Sequence, residues 1–325
     1  MPLRCLYTDL DGTLLGRYGS LFRNAEGEFS LLQARALEAC HRAGVEVVIK
    51  SGRREPQVLE DARLIGETAY IYEAGCALMI DGEKTVLIGD FEGDEGRTVY
   101  ETILDRGVPQ LLFDAFPGRL EYHAPWHTER QHSHLFRGKI DVAEANAILE
   151  REGHGALRLI DNGAIVRSMD GIDGPAHAYH LMPAAASKAN AVVFHMRARG
   201  YSSEQCIAIG DSVEDLAVAE VVGRFFVPAN GPEKDPGLRE AIAGRANVTI
   251  TEGRNGEGVY EAIVSTLAGA YPPPFAENPV RRCSSSRCSI TRSIRPYSAA
   301  SSALKKRSRS MSAWTCFFDL PVCLA

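Results

Sequence analysis

The sequence has no long uninterrupted apolar run. No stretch approaches the roughly 18 apolar residues that a membrane-spanning helix requires. The first residues also lack the apolar core of a secretory signal, because Arg4, Asp9 and Asp11 interrupt them. We therefore predict a chain that is neither exported nor inserted in a membrane, and we expect it in the cytoplasm.

Closely spaced cysteine pairs are also absent. None of the eight cysteines forms a Cys-x-x-Cys pair, so the sequence gives no zinc-ribbon or dithiol redox motif. Four cysteines lie in apolar patterns and are predicted to be buried thiols, namely Cys5, Cys40, Cys76 and Cys206. The other four lie near the C-terminus, at Cys283, Cys288, Cys316 and Cys323.

Most of the chain lacks an excess of positive charge. The formal net charge is -6, but residues 272–325 carry nine Lys and Arg against two acidic residues, a balance of +7 that leaves -13 for residues 1–271. An acidic body argues against nucleic acid as the main ligand. The segment 272–325 opens on three prolines and contains eleven serines without periodicity, so we predict that it is disordered. The alternatives are that its basic stretch Leu304–Arg309 contacts an acidic partner or a membrane surface, or that the tail is an artefact of the reading frame.

The most informative segment begins with a short apolar run, Leu3–Thr8, which is typical of a buried strand. Asp9-Leu10-Asp11-Gly12-Thr13 follows directly. Two carboxylates two residues apart at a strand end can face the same small volume, where they repel each other unless a cation lies between them. Mg²⁺, which binds carboxylates together with phosphate oxygens, fits such a pair. An ordinary acidic Asp-Gly turn is the alternative.

Strands and helices alternate through residues 1–90 and again through 182–271, which predicts an α/β fold with a doubly wound parallel sheet. Residues 91–181 have a different rhythm, with helical stretches between short strand-like pieces, one of them at Gln110–Phe113. We interpret this segment as an inserted α/β cap domain. The insertion places the cap over the carboxyl ends of the core strands, where open α/β sheets bind ligands.

Two further motifs follow core strands. The run Val45–Ile49 leads to Ser51-Gly52-Arg53, where a hydroxyl and exposed backbone N–H groups can bind a phosphoryl oxygen. Lys188 opens the helix after the cap, where the helix dipole also favours anions. Taken alone, the first motif favours an ordinary Ser-Gly turn and the second favours a solvated helix lysine.

A second acidic pair follows a later strand. Ile207–Ile209 leads to Gly210-Asp211, and Asp215 lies four residues further on, across a helix start. Asp211 can reach the same ion as Asp9, and Asp215 can bond to Lys188 or to a metal-bound water. The next strand leads to Pro228-Ala229-Asn230-Gly231, which is either a loop near the site or an Asn-Gly turn.

The four motifs, in this order, resemble those of the haloacid dehalogenase superfamily of phosphohydrolases, over about residues 3 to 268. A cap between the second and third motifs resembles the type-IIB branch, with its Cof-like sugar phosphatases, sucrose-phosphate phosphatase and mannosyl-3-phosphoglycerate phosphatase. The resemblance implies that Asp9 attacks phosphorus and that Asp11 is general acid and base. It also implies that Ser51 and Lys188 stabilise the phosphoryl group. Glu214 stands where the family often has Asn.

The resemblance implies Mg²⁺ as cofactor, with Asp9, Asp11, Asp211 and Asp215 as its ligands, Asp11 through its carbonyl. We expect substrate contacts from Thr13, Gly52, Arg53 and Asn230. The cap histidines lack the spacing of a metal site. Other residues that can meet substrate are Glu73, Arg137, Arg158, Asn162 and His180.

The predicted activity is a Mg²⁺-dependent phosphomonoesterase that acts through an aspartyl phosphate on a small metabolite, for which we favour a sugar phosphate. A phosphomutase of the same fold and a catalytically silent binding protein are the alternatives.

Overall fold

The structure is a computed structural model and describes residues 2–165 and 169–270. These residues form one sheet of eight strands and one of four. The tail 272–325, predicted to be disordered, lies outside the described residues. In the described parts of the chain, no helix combines the length and apolar character needed to cross a bilayer.

The first section alternates strand and helix, as its hydrophobic pattern predicts. The first strand is buried along its whole length, as is usual when helices cover both faces of a parallel sheet. Its first two α-helices end at glycines with left-handed backbone, Gly44 and Gly66. The elements are β1 (Cys5–Thr8), α1 (Leu32–Ala43), β2 (Glu46–Lys50), α2 (Glu55–Ile65), β3 (Tyr70–Tyr72), β4 (Ala77–Ile80) and β5 (Glu83–Val86).

The second section forms the smaller sheet and its helices. The strand predicted at Gln110–Phe113 is wrong, because these residues belong to a helix with Pro109 in its first turn. A short apolar run fits a buried helix as well as a strand, and only its surroundings decide. The elements are α3 (Val99–Asp105), α4 (Val108–Ala115), β6 (Leu120–Tyr122), β7 (His134–Gly138), α5 (Val142–Arg151), β8 (Leu157–Ala164) and β9 (His177–Pro183).

The third section returns to the large sheet. Ser187 caps its first helix by accepting a hydrogen bond from the Asn190 N–H at 3.0 Å. The elements are α6 (Lys188–Arg199), β10 (Cys206–Ile209), α7 (Val213–Leu216), β11 (Arg224–Val227), α8 (Asn230–Lys234), α9 (Pro236–Ile242), β12 (Val248–Ile250) and α10 (Asn255–Ala270).

The large sheet has the order β12-β11-β10-β1-β2-β3-β4-β5 and is parallel from β12 to β3, with β4 and β5 antiparallel at one edge. Helices α1, α2 and α10 cover one face, and α6, α7 and α9 cover the other. The predicted doubly wound α/β core is confirmed. Because β1 lies between β2 and β10, the carboxyl ends of these three strands meet at one edge.

The small sheet has the order β6-β7-β9-β8 and is antiparallel throughout. It has its own apolar core, which includes Ile103, Leu112, Phe136 and Leu149. Its last strand continues to Pro183, two residues beyond the boundary expected at 181. The division into core 1–90, cap 91–181 and core 182–271 stays a prediction.

Candidate active site

Three carboxylates meet at the carboxyl edge of the large sheet. Asp9 follows β1, Asp211 lies two residues after β10, and Asp215 lies in α7. One oxygen from each lies within 4.8 Å of the others. Asp9 and Asp215 are 6% and 0% exposed. The structure therefore brings together three of the four predicted metal ligands.

The turn after β1 is shaped to admit Asp211. Gly12 has φ +80°, and a Cβ there would lie 2.1 Å from Asp211 Oδ2, so a side chain would displace the carboxylate. Thr13 Oγ1 donates a hydrogen bond to Asp211 Oδ1 at 3.0 Å. Thr13, expected to touch substrate, thus orients an acidic residue of the site.

The Asp11 side chain lies apart from this carboxylate cluster. Arg53 donates to both of its oxygens, from Nε at 2.7 Å and from Nη2 at 2.6 Å. Arg53 also donates to Asp61 Oδ2 at 2.8 Å. The expectation that the two carboxylates of the first motif face one volume is therefore not met, because a bidentate arginine pair holds Asp11 outward. Arg53, expected to bind substrate, is engaged by Asp11 and Asp61.

Two lysines compensate the buried negative charge. Lys188 Nζ lies 2.9 Å from Asp215 Oδ1 and 3.7 Å from Asp9 Oδ2, and its side chain is fully buried. Lys50 Nζ donates to the same Asp215 oxygen at 2.5 Å. The solvated lysine considered for position 188 is thus excluded. Lys50 was missed by the sequence analysis, although a lysine at the end of a buried strand, beside Ser51, was a usable signal.

The two central carboxylates have opposite pKa shifts. Burial raises the pKa of Asp9 to about 7, against the lowering effect of Lys188. Burial also acts to raise the pKa of Asp215, but Lys188 and Lys50 outweigh it and hold that pKa below its usual range. Asp215 is therefore the ionised partner of the lysines, whereas Asp9 keeps a charge only at a cost. Burial likewise raises the pKa of Asp211, with Lys234 opposing.

This donor set fits a hard divalent cation. The cluster consists of oxygen ligands alone. Burial raises the pKa values of Asp9 and Asp211 against the opposing effects of Lys188 and Lys234, so a further positive charge between them would favour the ionised carboxylates. Mg²⁺ prefers one or two carboxylates plus substrate phosphate. Asp9 and Asp211 fit as direct ligands, since Asp215 is already bonded to both lysines.

Ser51 lies beside the site at the end of β2 and is 2% exposed. Its hydroxyl oxygen accepts a hydrogen bond from the Arg53 N–H at 3.2 Å, which leaves the hydroxyl hydrogen available to an acceptor. Ser51 therefore keeps the hydrogen that its predicted role requires.

Asn230 is committed to the backbone. Its amide donates to the Gly12 carbonyl at 2.8 Å and accepts from the Asn255 N–H at 2.7 Å. It begins the short helix α8, so the predicted loop or Asn-Gly turn is replaced by a helix start. We interpret Asn230 as a residue that positions the first motif, and its contact with substrate stays a prediction.

Glu73 joins the cap to the core. This buried carboxylate accepts hydrogen bonds from the Gln131 N–H, the His132 N–H and the Ser133 hydroxyl, at 2.9, 3.0 and 2.8 Å. Arg130 donates a hydrogen bond to the Gly52 carbonyl, and its Nε lies 3.9 Å from Glu73 Oε2. These contacts make Glu73 an anchor for residues 131–133, and its contact with substrate stays a prediction.

Two cap side chains reach the second motif. A Cβ on Gly52 would lie 2.6 Å from His180 Nε2 and 3.3 Å from Asn162 Nδ2. His180 is 1% exposed. Gly52 thus meets the cap directly, which only a glycine allows. Arg137 pairs with Glu121 within the cap, and Arg158 donates to the Ala186 carbonyl at 2.6 Å.

Comparisons with known proteins agree with this geometry. The family described as haloacid dehalogenase-like hydrolase matches residues 159–263. A phosphoglycolate phosphatase of Archaeoglobus fulgidus is 28% identical over 264 residues, covering 80% of this chain and 95% of its own. One of Methanoculleus marisnigri is 26% identical over 270 residues, with the same coverage.

Solved structures share the fold. The sucrose-phosphatase of Synechocystis, determined in complex with sucrose and phosphate, superposes with a TM-score of 0.56 at 15% identity. The match covers 82% of this chain and 98% of that one. A haloacid dehalogenase-like hydrolase of Bacteroides thetaiotaomicron gives 0.53 at 17% identity, covering 81% and 99%.

Proposed function

We propose that the chain is a member of the haloacid dehalogenase superfamily, of its type-IIB branch, and that it is a Mg²⁺-dependent phosphomonoesterase for small phosphorylated metabolites. The observation that carries the proposal is the buried group of Asp9, Asp211 and Asp215 with Lys188 beside it. A nucleophile, cation ligands and a fixed positive charge are what phosphoryl transfer requires.

In the proposed reaction, an Asp9 oxygen attacks phosphorus, and the bond from phosphorus to the leaving oxygen breaks. Asp11 gives its proton to that oxygen. Water then attacks the aspartyl phosphate, Asp11 takes the proton, and Asp9 is released with inorganic phosphate. Because Arg53 holds the Asp11 carboxylate in the structure, we propose that Asp11 leaves Arg53 when substrate binds.

Lys188 and Ser51 stabilise the phosphoryl oxygens, where negative charge spreads in the transition state. Lys188 is held in place by Asp215, which Ser212 also binds through a 2.7 Å hydrogen bond. When bound by Asp9, Asp211 and the Asp11 carbonyl, Mg²⁺ supplies positive charge that keeps Asp9 ionised and polarises the phosphoryl group.

We propose a small leaving group. His180 and Asn162 lie against Gly52, next to Ser51, so these cap side chains take up space beside the proposed phosphoryl site. This favours a phosphomonoester of a few carbon atoms over a disaccharide phosphate. Phosphoglycolate, named for the archaeal relatives, is the first candidate, ahead of the sugar phosphate favoured by the sequence analysis.

The test is release of inorganic phosphate by the full chain with Mg²⁺, from phosphoglycolate, a hexose phosphate and sucrose phosphate. We expect turnover that chelation and Asp9→Asn both abolish. The matched control is Asp90→Asn, which changes an exposed carboxylate and should leave turnover unchanged. Following isomer formation in the same reactions identifies a phosphomutase.

No phosphate from any ester would contradict the phosphatase. A preference for sucrose phosphate would contradict only the argument from size. The cytoplasm stays our predicted compartment, and an acidic partner of the tail stays a prediction. Deleting residues 272–325 should leave turnover unchanged.

A further inference from the structure

A second cluster of metal-ligating side chains lies at the opposite, amino end of the large sheet. Cys5, Glu46 and Cys206 are the first residues of β1, β2 and β10, and Cys5 is the register partner of the other two. Register partners on adjacent parallel strands point to the same face. Helix α6 covers that face and contributes His195.

We propose that Cys5, Glu46 and His195 bind one divalent ion of the zinc class and that the neighbouring Cys206 completes the site as fourth ligand when the ion binds. This closed structural site would be distinct from the Mg²⁺ site proposed at the other end of the sheet. Thiolate and imidazole ligands select Zn²⁺, whereas Mg²⁺ requires oxygen. Four ligands from the protein leave no position for substrate, as in structural zinc sites.

Three of the four ligand atoms are already close together. Cys5 Sγ, a Glu46 oxygen and a His195 ring nitrogen lie within 4.8 Å of one another. His195 Nε2 lies 3.6 Å from Glu46 Oε1, which is too long for a hydrogen bond. Two ligands at usual zinc distances, at a tetrahedral angle, lie about 3.4 Å apart. The observed separation is therefore close to that of a ligand pair.

His195 provides the second, independent observation. Its side chain is fully buried, and its Nε2 has no hydrogen-bond partner among the described residues. A buried nitrogen without a partner costs about 1–3 kcal/mol. Its other ring nitrogen, Nδ1, lies 2.8 Å from the Tyr7 hydroxyl, which fixes the ring and leaves Nε2 directed at the cluster. Such a partner on the second nitrogen is usual for metal-ligating histidines.

A divalent ion would offset most of the negative charge of the cluster. Two thiolates and one carboxylate carry three negative charges, and the ion neutralises two. Arg199 adds positive charge, since its Nη2 lies 2.9 Å from Glu46 Oε1, and it shares that charge with Asp81, whose Oδ2 lies 2.6 Å from its Nη1. Cys5 and Cys206 are fully buried and their thiols interact, but Cys206 lies outside the group of mutually close ligand atoms, so its side chain has to move toward the ion to bind it. Cys-x-x-Cys spacing does not reveal such a site, because its ligands come from four separate elements.

The proposed ion would link elements of the fold that also carry the candidate active site. The ion would join β1, β2, β10 and α6, which also carry Asp9, Ser51, Asp211 and Lys188 at or near their other ends. His195 lies seven residues after Lys188 on α6, about two turns along the same side. The proposed site therefore supports the framework of the active site without touching it.

The test measures metal directly, so it does not depend on the phosphatase activity. The full chain is purified without chelators, its zinc is quantified by elemental analysis, and Co²⁺ is then exchanged into it. We expect about one zinc per chain, and thiolate-to-cobalt charge-transfer bands with the intense visible bands of tetrahedral Co²⁺. Removing zinc should lower the Tm, and returning it should restore the Tm.

Variants then locate the ion. Cys5→Ser and His195→Gln should each lose the zinc, whereas Cys40→Ser, which changes a buried thiol in α1, should retain it. A chain with Cys283, Cys288, Cys316 and Cys323 all changed to Ser should also keep it. Zinc-free protein whose Tm does not respond to added zinc would overturn the proposal, as would a Cys5–Cys206 disulfide or zinc lost with the tail cysteines. If a variant fails to fold, the stoichiometry and cobalt spectrum of the wild-type chain still decide.

Discussion

Replacing Asp9 with asparagine should abolish phosphate release and also stabilise the metal-free protein above neutral pH. Burial raises the pKa of Asp9 to about 7, despite the opposing effect of Lys188. Asparagine has nearly the same shape without the charge, so it removes the cost of holding a buried carboxylate. Lys188 keeps its 2.9 Å contact with Asp215 in this variant.

The sign follows from proton uptake. The folded protein keeps Asp9 protonated up to about pH 7, whereas the unfolded chain releases that proton near pH 3.9. Between these values the folded state binds more protons, so the free energy of unfolding falls as the pH rises. One pH unit corresponds to about 1.4 kcal/mol, so the wild type loses at most about 2.7 kcal/mol from pH 5 to 7 through this residue. The Asp9→Asn variant has no ionisable group at this position, so it does not lose this part of the free energy of unfolding.

The assay is urea unfolding of both proteins with a chelator present, at pH 5 and at pH 8. The stability of Asp9→Asn relative to wild type should rise by about 1–3 kcal/mol between the two pH values. Added Mg²⁺ should stabilise the wild type more than the variant. The turnover number should fall by about 10⁴-fold or more. A stability difference that is equal at both pH values, or smaller at pH 8, would refute the argument that Asp9 is charged at a cost.

Three further substitutions, one of them with a matched control, test other parts of the site. Lys188→Met should lower kcat by about 10²-fold or more and lower the free energy of unfolding by about 3–5 kcal/mol, because the buried carboxylates lose their cation. Phosphate release measures the first effect and urea unfolding the second. A variant that is both active and stable would contradict the role of Lys188. Gly12→Ala should weaken Mg²⁺ binding at least about tenfold in a Mg²⁺ titration of turnover, since its Cβ would lie 2.1 Å from Asp211 Oδ2. Gly82→Ala, also at positive φ but with open space around it, should cost about 1 kcal/mol of stability and leave Mg²⁺ binding unchanged. Glu73→Gln should lower the free energy of unfolding by about 1–3 kcal/mol and speed hydrogen exchange at residues 130–133, because one amide oxygen replaces two carboxylate oxygens. Unchanged hydrogen exchange at these residues would argue against the role of Glu73 as an anchor.

Local patterns were sufficient to predict the core. Short apolar runs that end in Asp or Ser mark parallel strands, and adjacent strand ends must meet at one edge of the sheet. That rule predicts from the sequence alone that Asp9 and Asp211 lie together, and the structure places their oxygens within 4.8 Å of each other. The rule did not predict the position of the Asp11 carboxylate. Arg53, which follows another strand, holds that carboxylate, and the conformation of the Arg53 side chain depends on Asp61 in α2.

The cap was less predictable for a physical reason. Its short apolar runs fit either a strand or a buried helix turn, and Gln110–Phe113 became helical because Pro109 begins a helix there. The burial of Lys50 could not be predicted either, since only the fold brings its ammonium group to Asp215. The contacts of Glu73 with residues 131–133 and the cluster around Cys5 join segments that are distant in the sequence, so neither could be predicted from local patterns.

The central place of β1 has a consequence for synthesis. Thr13 and Asp211, which bond to each other, are 198 residues apart, and β10, the strand that precedes Asp211, pairs directly with β1. A ribosome must therefore release β10 before that pairing can form. A growing polypeptide carries Asp9 long before Asp211 and Asp215 can join it, so the proposed catalytic centre stays incomplete until α7 has been made.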